Sequence, residues 1–153
     1  MNILVTGCAG FIGYNLTLRL LKKRNAKVFG IDNLNNYYDP ELKKNRLKIL
    51  KSKKNFYFKK IDICDSILIN KYFKKNKITY VVNLAAQAGV RYSIENPRKY
   101  LESNVIGFFN ILESSKKYKI KHLVYASTSS VYGDNDNFPL KEEYNTDKPI
   151  SFY

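Results

Sequence analysis

The most constraining feature of the chain is at its start, where the apolar run Ile3-Leu4-Val5 leads straight into Gly7-Cys8-Ala9-Gly10-Phe11-Ile12-Gly13. A short apolar run ending in glycines reads as a buried parallel strand. Three glycines at such a turn meet three separate demands: a tight reversal, close approach of backbone to a pyrophosphate, and close packing of helix on strand. The helix that follows carries Phe11, Leu16, Leu20 and Leu21 at roughly helical spacing. Its N-terminus presents free N–H groups and positive dipole to the phosphates. A glycine triplet alone is also compatible with a tight turn that binds nothing. Context favours the ligand: Lys27-Val28-Phe29-Gly30-Ile31 reads as a second strand, and Asp32 stands at its tip. That is close to the offset of about 20 residues at which a carboxylate meets an adenosine ribose. Such a carboxylate accepts hydrogen bonds from the ribose hydroxyls and repels a 2′-phosphate, so NAD is expected over NADP.

The remaining elements alternate in the same way. Pro40 can open a helix carrying Leu42, Leu47, Ile49 and Leu50, and Phe56-Tyr57-Phe58 through Ile61 reads as a third strand closed by Asp62. Ser66 is the expected cap of a helix bearing Ile67, Leu68, Tyr72 and Phe73, and Tyr80-Val81-Val82-Asn83-Leu84 follows as a fourth strand. The longest predicted helix comes after Asn96-Pro97. Its Leu101, Val105, Phe108, Phe109 and Leu112 make a clean amphipathic stripe, somewhat weakened by Gly107. Leu123-Val124-Tyr125-Ala126 is a fifth strand, and residues 133–149 read as a polar loop. Alternation of this kind predicts an α/β fold, a doubly wound parallel sheet of Rossmann type with helices on both faces. Its crossovers should be right-handed. The expected sheet is incomplete at the C-terminus, making residues 1–153 one truncated NAD-binding domain.

The net charge of +14 raises the question of nucleic acid. The excess is mostly lysine, however, scattered in pairs such as Lys43-Lys44, Lys59-Lys60, Lys74-Lys75 and Lys116-Lys117. Several clusters fall at expected helix ends, where cations complement the dipole. The reading is a solvated surface that attracts anions at long range, with no specific nucleic-acid partner. No apolar stretch approaches the roughly 20 residues of a membrane helix, and Met1 runs directly into structure without a basic leader. A cytoplasmic setting with Cys8 and Cys64 reduced is expected. Neither cysteine has a partner at metal-ligand spacing and His122 is the only histidine, so no metal site is expected.

The glycines are spaced G-x-x-G-x-x-G, which resembles the extended short-chain dehydrogenase/reductases, the NAD-dependent epimerase/dehydratase family. The resemblance runs through the whole chain. Asp32-Asn33-Leu34 with Asn36 looks like the family's adenosine-ribose segment, and Asp62-Ile63 like the pair that meets adenine. Asn83-Leu84-Ala85-Ala86 matches the strand end beneath the cofactor, with Asn83 in place of a histidine that has no chemical role there. Asn104 matches an asparagine that braces the active site, and residues 125–133 are similar to the fifth-strand signature. Within the family, residues 31–39 and 84–93 look most like UDP-glucuronate 4-epimerases. The related dehydratases carry Asp-Glu where this chain has Ser129 and Ser130, which disfavours dehydration because neither serine is an acid of suitable pKa.

The resemblance implies C4 epimerisation of a UDP-sugar, most closely UDP-glucuronate, through a transient 4-keto intermediate with NAD as cofactor. By the family pattern Y-x-x-x-K, Tyr153 would take the proton of the 4-hydroxyl and Thr128 would hydrogen-bond the reacting oxygen. Free tyrosine ionises near pH 10, and a lysine four residues on supplies part of the shift. Gln87, Arg91 and Ser129 are the expected sugar contacts. For Arg91 a uronate carboxylate and a surface salt bridge both remain open, and Tyr37-Tyr38 could cover an adenine or the protein's own core. A full-length homodimer is implied. The chain stops at Tyr153, without that lysine or a C-terminal substrate domain, so alone it is expected to lack epimerase activity. A near variant of the resemblance is UDP-glucose 4-epimerase or another sugar-nucleotide epimerase/dehydratase, and the alternative is a non-catalytic remnant or module that binds NAD or polyanions.

Overall fold

Successive side chains of a strand point to opposite faces, and β1 (Asn2–Thr6) uses both of them. Leu4 joins a core cluster with Phe29, Ile31, Ile69, Phe73 and Ile111, while Ile3 and Val5 join a second with Val28, Leu47, Leu50 and Phe56. The computed structural model, which describes residues 1–153, is thus a sheet with an apolar layer on each side. The other strands are β2 (Lys27–Asp32), β3 (Phe56–Lys60), β4 (Tyr80–Asn83) and β5 (His122–Tyr125). All pair in parallel, in the order β3-β2-β1-β4-β5. The fold is the expected doubly wound α/β sheet. Its order reverses beside β1, and the crevice at the C-terminal ends of β1 and β4 is where such sheets bind ligands.

The helices are α1 (Phe11–Leu21), α2 (Pro40–Lys51), α3 (Ser66–Asn76), α4 (Val90–Glu95), α5 (Pro97–Tyr100) and α6 (Phe108–Lys117). Asp39 caps α2 by accepting from Glu41 N–H, with Pro40 at the first helical position. The cap of α3 is Asp65 and not the expected Ser66: its carboxylate accepts from Leu68 N–H at 2.8 Å. Basic residues occupy the last turns of α1, α2, α3 and α6, as the charge pattern predicts. One lysine breaks the pattern. Lys43 is buried on the inner side of α2 with Leu47 and Leu50. No helix is long and apolar enough to cross a membrane.

The long helix differs from the expectation in an informative way. Between α5 and α6 the chain is π-helical over Leu101–Gly107, so the 3.6-residue period does not hold through it. Leu101, Val105, Phe109 and Leu112 are exposed, and the buried residues are Tyr100, Gly107, Ile111, Ser114 and Ser115. Small side chains let the helix lie close. A Cβ on Gly107 would come within 2.6 Å of the Ile63 side chain. Ile111→Ala should therefore cost about 2–5 kcal/mol in urea unfolding, and Phe109→Ala no more than about 0.5 kcal/mol. A larger loss from Phe109→Ala would put the predicted stripe in the core after all.

Candidate functional site

The site is built outward from the turn between β1 and α1. Gly7 has φ 66°, in the left-handed region, and its carbonyl accepts from Gly10 N–H at 3.0 Å. A Cβ on Gly7 would lie 2.9 Å from Ala85 N, and one on Gly13 would collide with the Gly7 carbonyl oxygen. The turn is a cradle that a single methyl group would fill. No side chain caps the N-terminus of α1 and no acid lies in its first turn, while Phe11 and Ile12 are exposed. These residues fit the pyrophosphate of a dinucleotide, since backbone N–H groups and the dipole face an open space. Cys8 takes no chemical part. It is fully buried, and burial together with the Asp32 carboxylate pushes its thiol far up.

Asp32 closes one side of the cradle and is 7% exposed. Its Oδ2 accepts from Ala9 N–H at 3.1 Å and its Oδ1 from Leu34 N–H at 2.8 Å. The second bond holds Leu34 at φ 55°, a conformation uncommon outside glycine and asparagine. Each oxygen keeps lone-pair capacity for a ribose hydroxyl. Asn33 donates to Asp62 Oδ2 at 2.9 Å, which ties the tips of β2 and β3 together. The Ile63 side chain is in the core against Gly107, so only its backbone can serve the cleft. Asn36 is exposed.

The opposite wall is the strand end after β4. Thr6 donates its hydroxyl to Asn83 Oδ1 at 2.7 Å, and Thr6 Oγ1 accepts from Leu84 and Ala85 N–H, each at 3.0 Å. Asn83 is therefore not inert, as its substitution for histidine suggested. It orients the hydroxyl that shapes the Leu84-Ala85-Ala86 segment. Asn104, inside the π-helical turn, accepts from Gln87 N–H at 2.8 Å and donates to Gln87 O at 2.9 Å. Both of its amide atoms are committed to that loop. Tyr153 is half-buried and packs edge-on against Tyr100, with ring centroids 5.5 Å apart. Tyr100 in turn donates to Ala88 O at 2.8 Å. Thr128 Oγ1 accepts from Ser130 N–H at 3.1 Å, and Ser129 is exposed.

A family model described as GDP-mannose 4,6 dehydratase matches residues 4–153. Protein CapI of Staphylococcus aureus is 50% identical over all of this chain and 45% of its own length. UDP-glucuronate 4-epimerase 1 of Arabidopsis thaliana is 46% identical over all of this chain and 35% of its own length. The structure of UDP-glucuronic acid 4-epimerase from Bacillus cereus, in complex with UDP-glucuronic acid and NAD, superposes with a TM-score of 0.90 at 34% identity. That superposition covers 99% of this chain and 47% of the other. The chain belongs to the GDP-mannose 4,6-dehydratase family. It spans less than half the length of these relatives.

Membership in the GDP-mannose 4,6-dehydratase family does not by itself fix the reaction, because Ser129 and Ser130 supply no acid beside Thr128. One residue of the site, Thr6, escapes the sequence pattern, and the alternative left open for Tyr37 is decided. Thr6 lies between the apolar run and the first glycine, where a hydroxyl is the one signal that could have flagged it. Tyr37 packs against Tyr38 and Tyr92, with centroids 4.7 and 4.9 Å away, and so covers the protein's own loop. Arg91 is exposed and belongs to none of the chain's ion pairs.

The Asp62 carboxyl offers a pH test of the β2–β3 junction. Burial pushes its pKa up, but hydrogen bonds from Asn33 and Cys64 more than offset this, and it lies below the ordinary 3.8. A group with a depressed folded-state value stabilises above its unfolded value, and the contribution is lost as pH falls through the folded one. The unfolding free energies of wild type and Asp62→Asn should therefore converge on acidification below about pH 3.8. A gap independent of pH would show that the carboxylate is not held by these bonds.

Proposed function

We propose that this chain is the cofactor-binding part of an NAD-dependent enzyme that epimerises C4 of a UDP-sugar, with UDP-glucuronate as substrate. The observation that carries the reading is a glycine cradle with no room for a Cβ beside a buried strand-tip carboxylate. It occurs in a chain 46% identical to a UDP-glucuronate 4-epimerase. Gly7, Gly10 and Gly13, with the backbone of Phe11 and Ile12, would hold the pyrophosphate. Asp32 would hold the ribose, with Asn33 and Asn36 beside it. Asp62 and the backbone of Ile63 would border the adenine, and Leu84, Ala85 and Ala86 would underlie the far half of the cofactor. Asn104 acts through Gln87, whose backbone it fixes.

Bound NAD would supply the hydride acceptor and donor for transient oxidation at C4. The chain's own part is to move one proton and fix the sugar. Tyr153 takes the proton of the 4-hydroxyl on its phenolic oxygen and later returns it. Thr128 has its oxygen engaged by Ser130 N–H, which leaves the hydroxyl hydrogen for the reacting oxygen. Arg91, with no internal carboxylate partner, suits bidentate pairing with the uronate carboxylate. Gln87 and Ser129 would flank the sugar. Epimerisation is favoured over dehydration because neither Ser129 nor Ser130 can carry a proton near neutral pH. In the whole protein a second domain would close over the sugar, in a cytoplasmic homodimer.

NAD at a hundred times its dissociation constant should stabilise the chain by about 2.7 kcal/mol, or roughly 5–10 °C in thermal midpoint for a domain of this size. No shift at saturation would remove cofactor binding from the reading. Residues 1–153 joined to the C-terminal portion of the Bacillus cereus enzyme should interconvert UDP-glucuronate and UDP-galacturonate. In that fusion Tyr153→Phe should slow turnover by about 10²–10⁴. Turnover indifferent to Tyr153→Phe would take Tyr153 out of the chemistry.

A further inference from the structure

Among the 27 lysines and arginines only Lys43 is buried, and among the acids only Asp32. The two face each other, with Lys43 Nζ 3.9 Å from Asp32 Oδ1. The ammonium donates to Asn35 O at 3.1 Å and to Asn35 Oδ1 at 2.9 Å. An ammonium has three protons to give, and 3.9 Å is too long for a hydrogen bond. One donor is left over beside the carboxylate. Desolvating a charge is costly, and a neutral donor would serve to hold Asn35, so the charge itself needs another explanation. One turn further along α2, Arg46 Nη1 donates to Ala9 O at 3.2 Å. Ala9 is thus gripped from both sides, by Asp32 at its N–H and by Arg46 at its carbonyl.

A lone carboxylate at this place rejects a ribose 2′-phosphate by charge repulsion. Here an ammonium of opposite sign shares the same dry pocket, where a pair about 4 Å apart interacts far more strongly than in water. Resting on the reading of the cleft as an NAD site, we propose that Lys43 is a specificity-determining residue for the cofactor. Its ammonium offsets Asp32 and keeps one donor for the 2′ position, so the site admits a ribose 2′-phosphate as well as a ribose diol, with a narrowed preference for NAD. Lys43 does not contact the pyrophosphate cradle, so its charge bears on the ribose end alone.

The test is titration calorimetry of NAD and of NADP into the 153-residue chain, the Lys43→Met variant and the Lys43→Gln variant. Lys43→Gln removes the charge and keeps two amide donors on the side of Asn35, so it serves where the methionine variant unfolds. Wild type should bind both nucleotides, NAD the more tightly by less than about a hundredfold. Each variant should lose roughly ten- to a hundredfold in NADP affinity, the worth of one hydrogen bond to a charged group, and stay within about threefold for NAD. Equal weakening of both nucleotides would show that Lys43 only braces the Asn35 loop and would overturn the inference. So would wild type that binds NAD and no NADP. Wild type that binds neither overturns the cofactor reading itself and this inference with it.

Discussion

Everything at the cleft depends on how little room there is around the Gly7 carbonyl. The same oxygen accepts from Gly10 N–H and lies under Gly13, where any Cβ would strike it. The glycine itself is at φ 66°, and a Cβ on it would come within 2.9 Å of Ala85 N. Because three backbone segments converge there, α1 can start only where it does, aimed at the crevice between β1 and β4. The next two residues pin the turn to the neighbouring strand: Cys8 N–H donates to Ile31 O at 3.2 Å, and Ala9 N–H to Asp32. The glycine cradle and the strand-tip carboxylate beside it are therefore set by one packing constraint.

The other half of the cleft is held by side chains that fix backbone. Thr6 and Asn83 are register partners across the switch point, and their hydrogen bond lets one hydroxyl hold two amides of the following segment. Asn104 does the same for Gln87 from the π-helical turn. A run of tyrosines, 37, 92, 100 and 153, links the loop after β2 to the end of the chain through ring contacts. Tyr100 sits at its centre, 1% exposed, and burial pushes its phenol above the ordinary tyrosine value. It stays a neutral donor to the Ala88 carbonyl, and the edge of Tyr153 rests on its ring.

What could be read from the sequence was what short spacing dictates. The glycine turn, Asp32 and the strand-helix alternation follow from neighbours along the chain, and the fold came out as the pattern implied. Features that depend on tertiary context were hidden. A π-helical turn has no marker in a 3.6-residue pattern, so the stripe from Leu101 to Leu112 was legible while its orientation was not. Ile63 was placed at the right strand end, but the small Gly107 opposite draws its side chain into the core. Asp65 and Ser66 are both good caps by type, and only the backbone angles choose between them. Asn83 looked like a neutral replacement because its partner, Thr6, lies 77 residues away.

The basic composition divides into two populations that act over different ranges. Lysines at the ends of α1, α2, α3 and α6 are solvated, so their field is cut off within about 8–10 Å at ordinary salt. They draw anions toward the molecule and do nothing to tell one nucleotide from another. Lys43 is the reverse case: in sequence it is one of a pair with Lys44, yet α2 turns the first inward and the second out. The helical period decides this, since Lys43 falls one turn before Leu47 on the buried face. A net charge of +14 thus says little about recognition, whereas one ammonium in a dry pocket beside Asp32 bears directly on it.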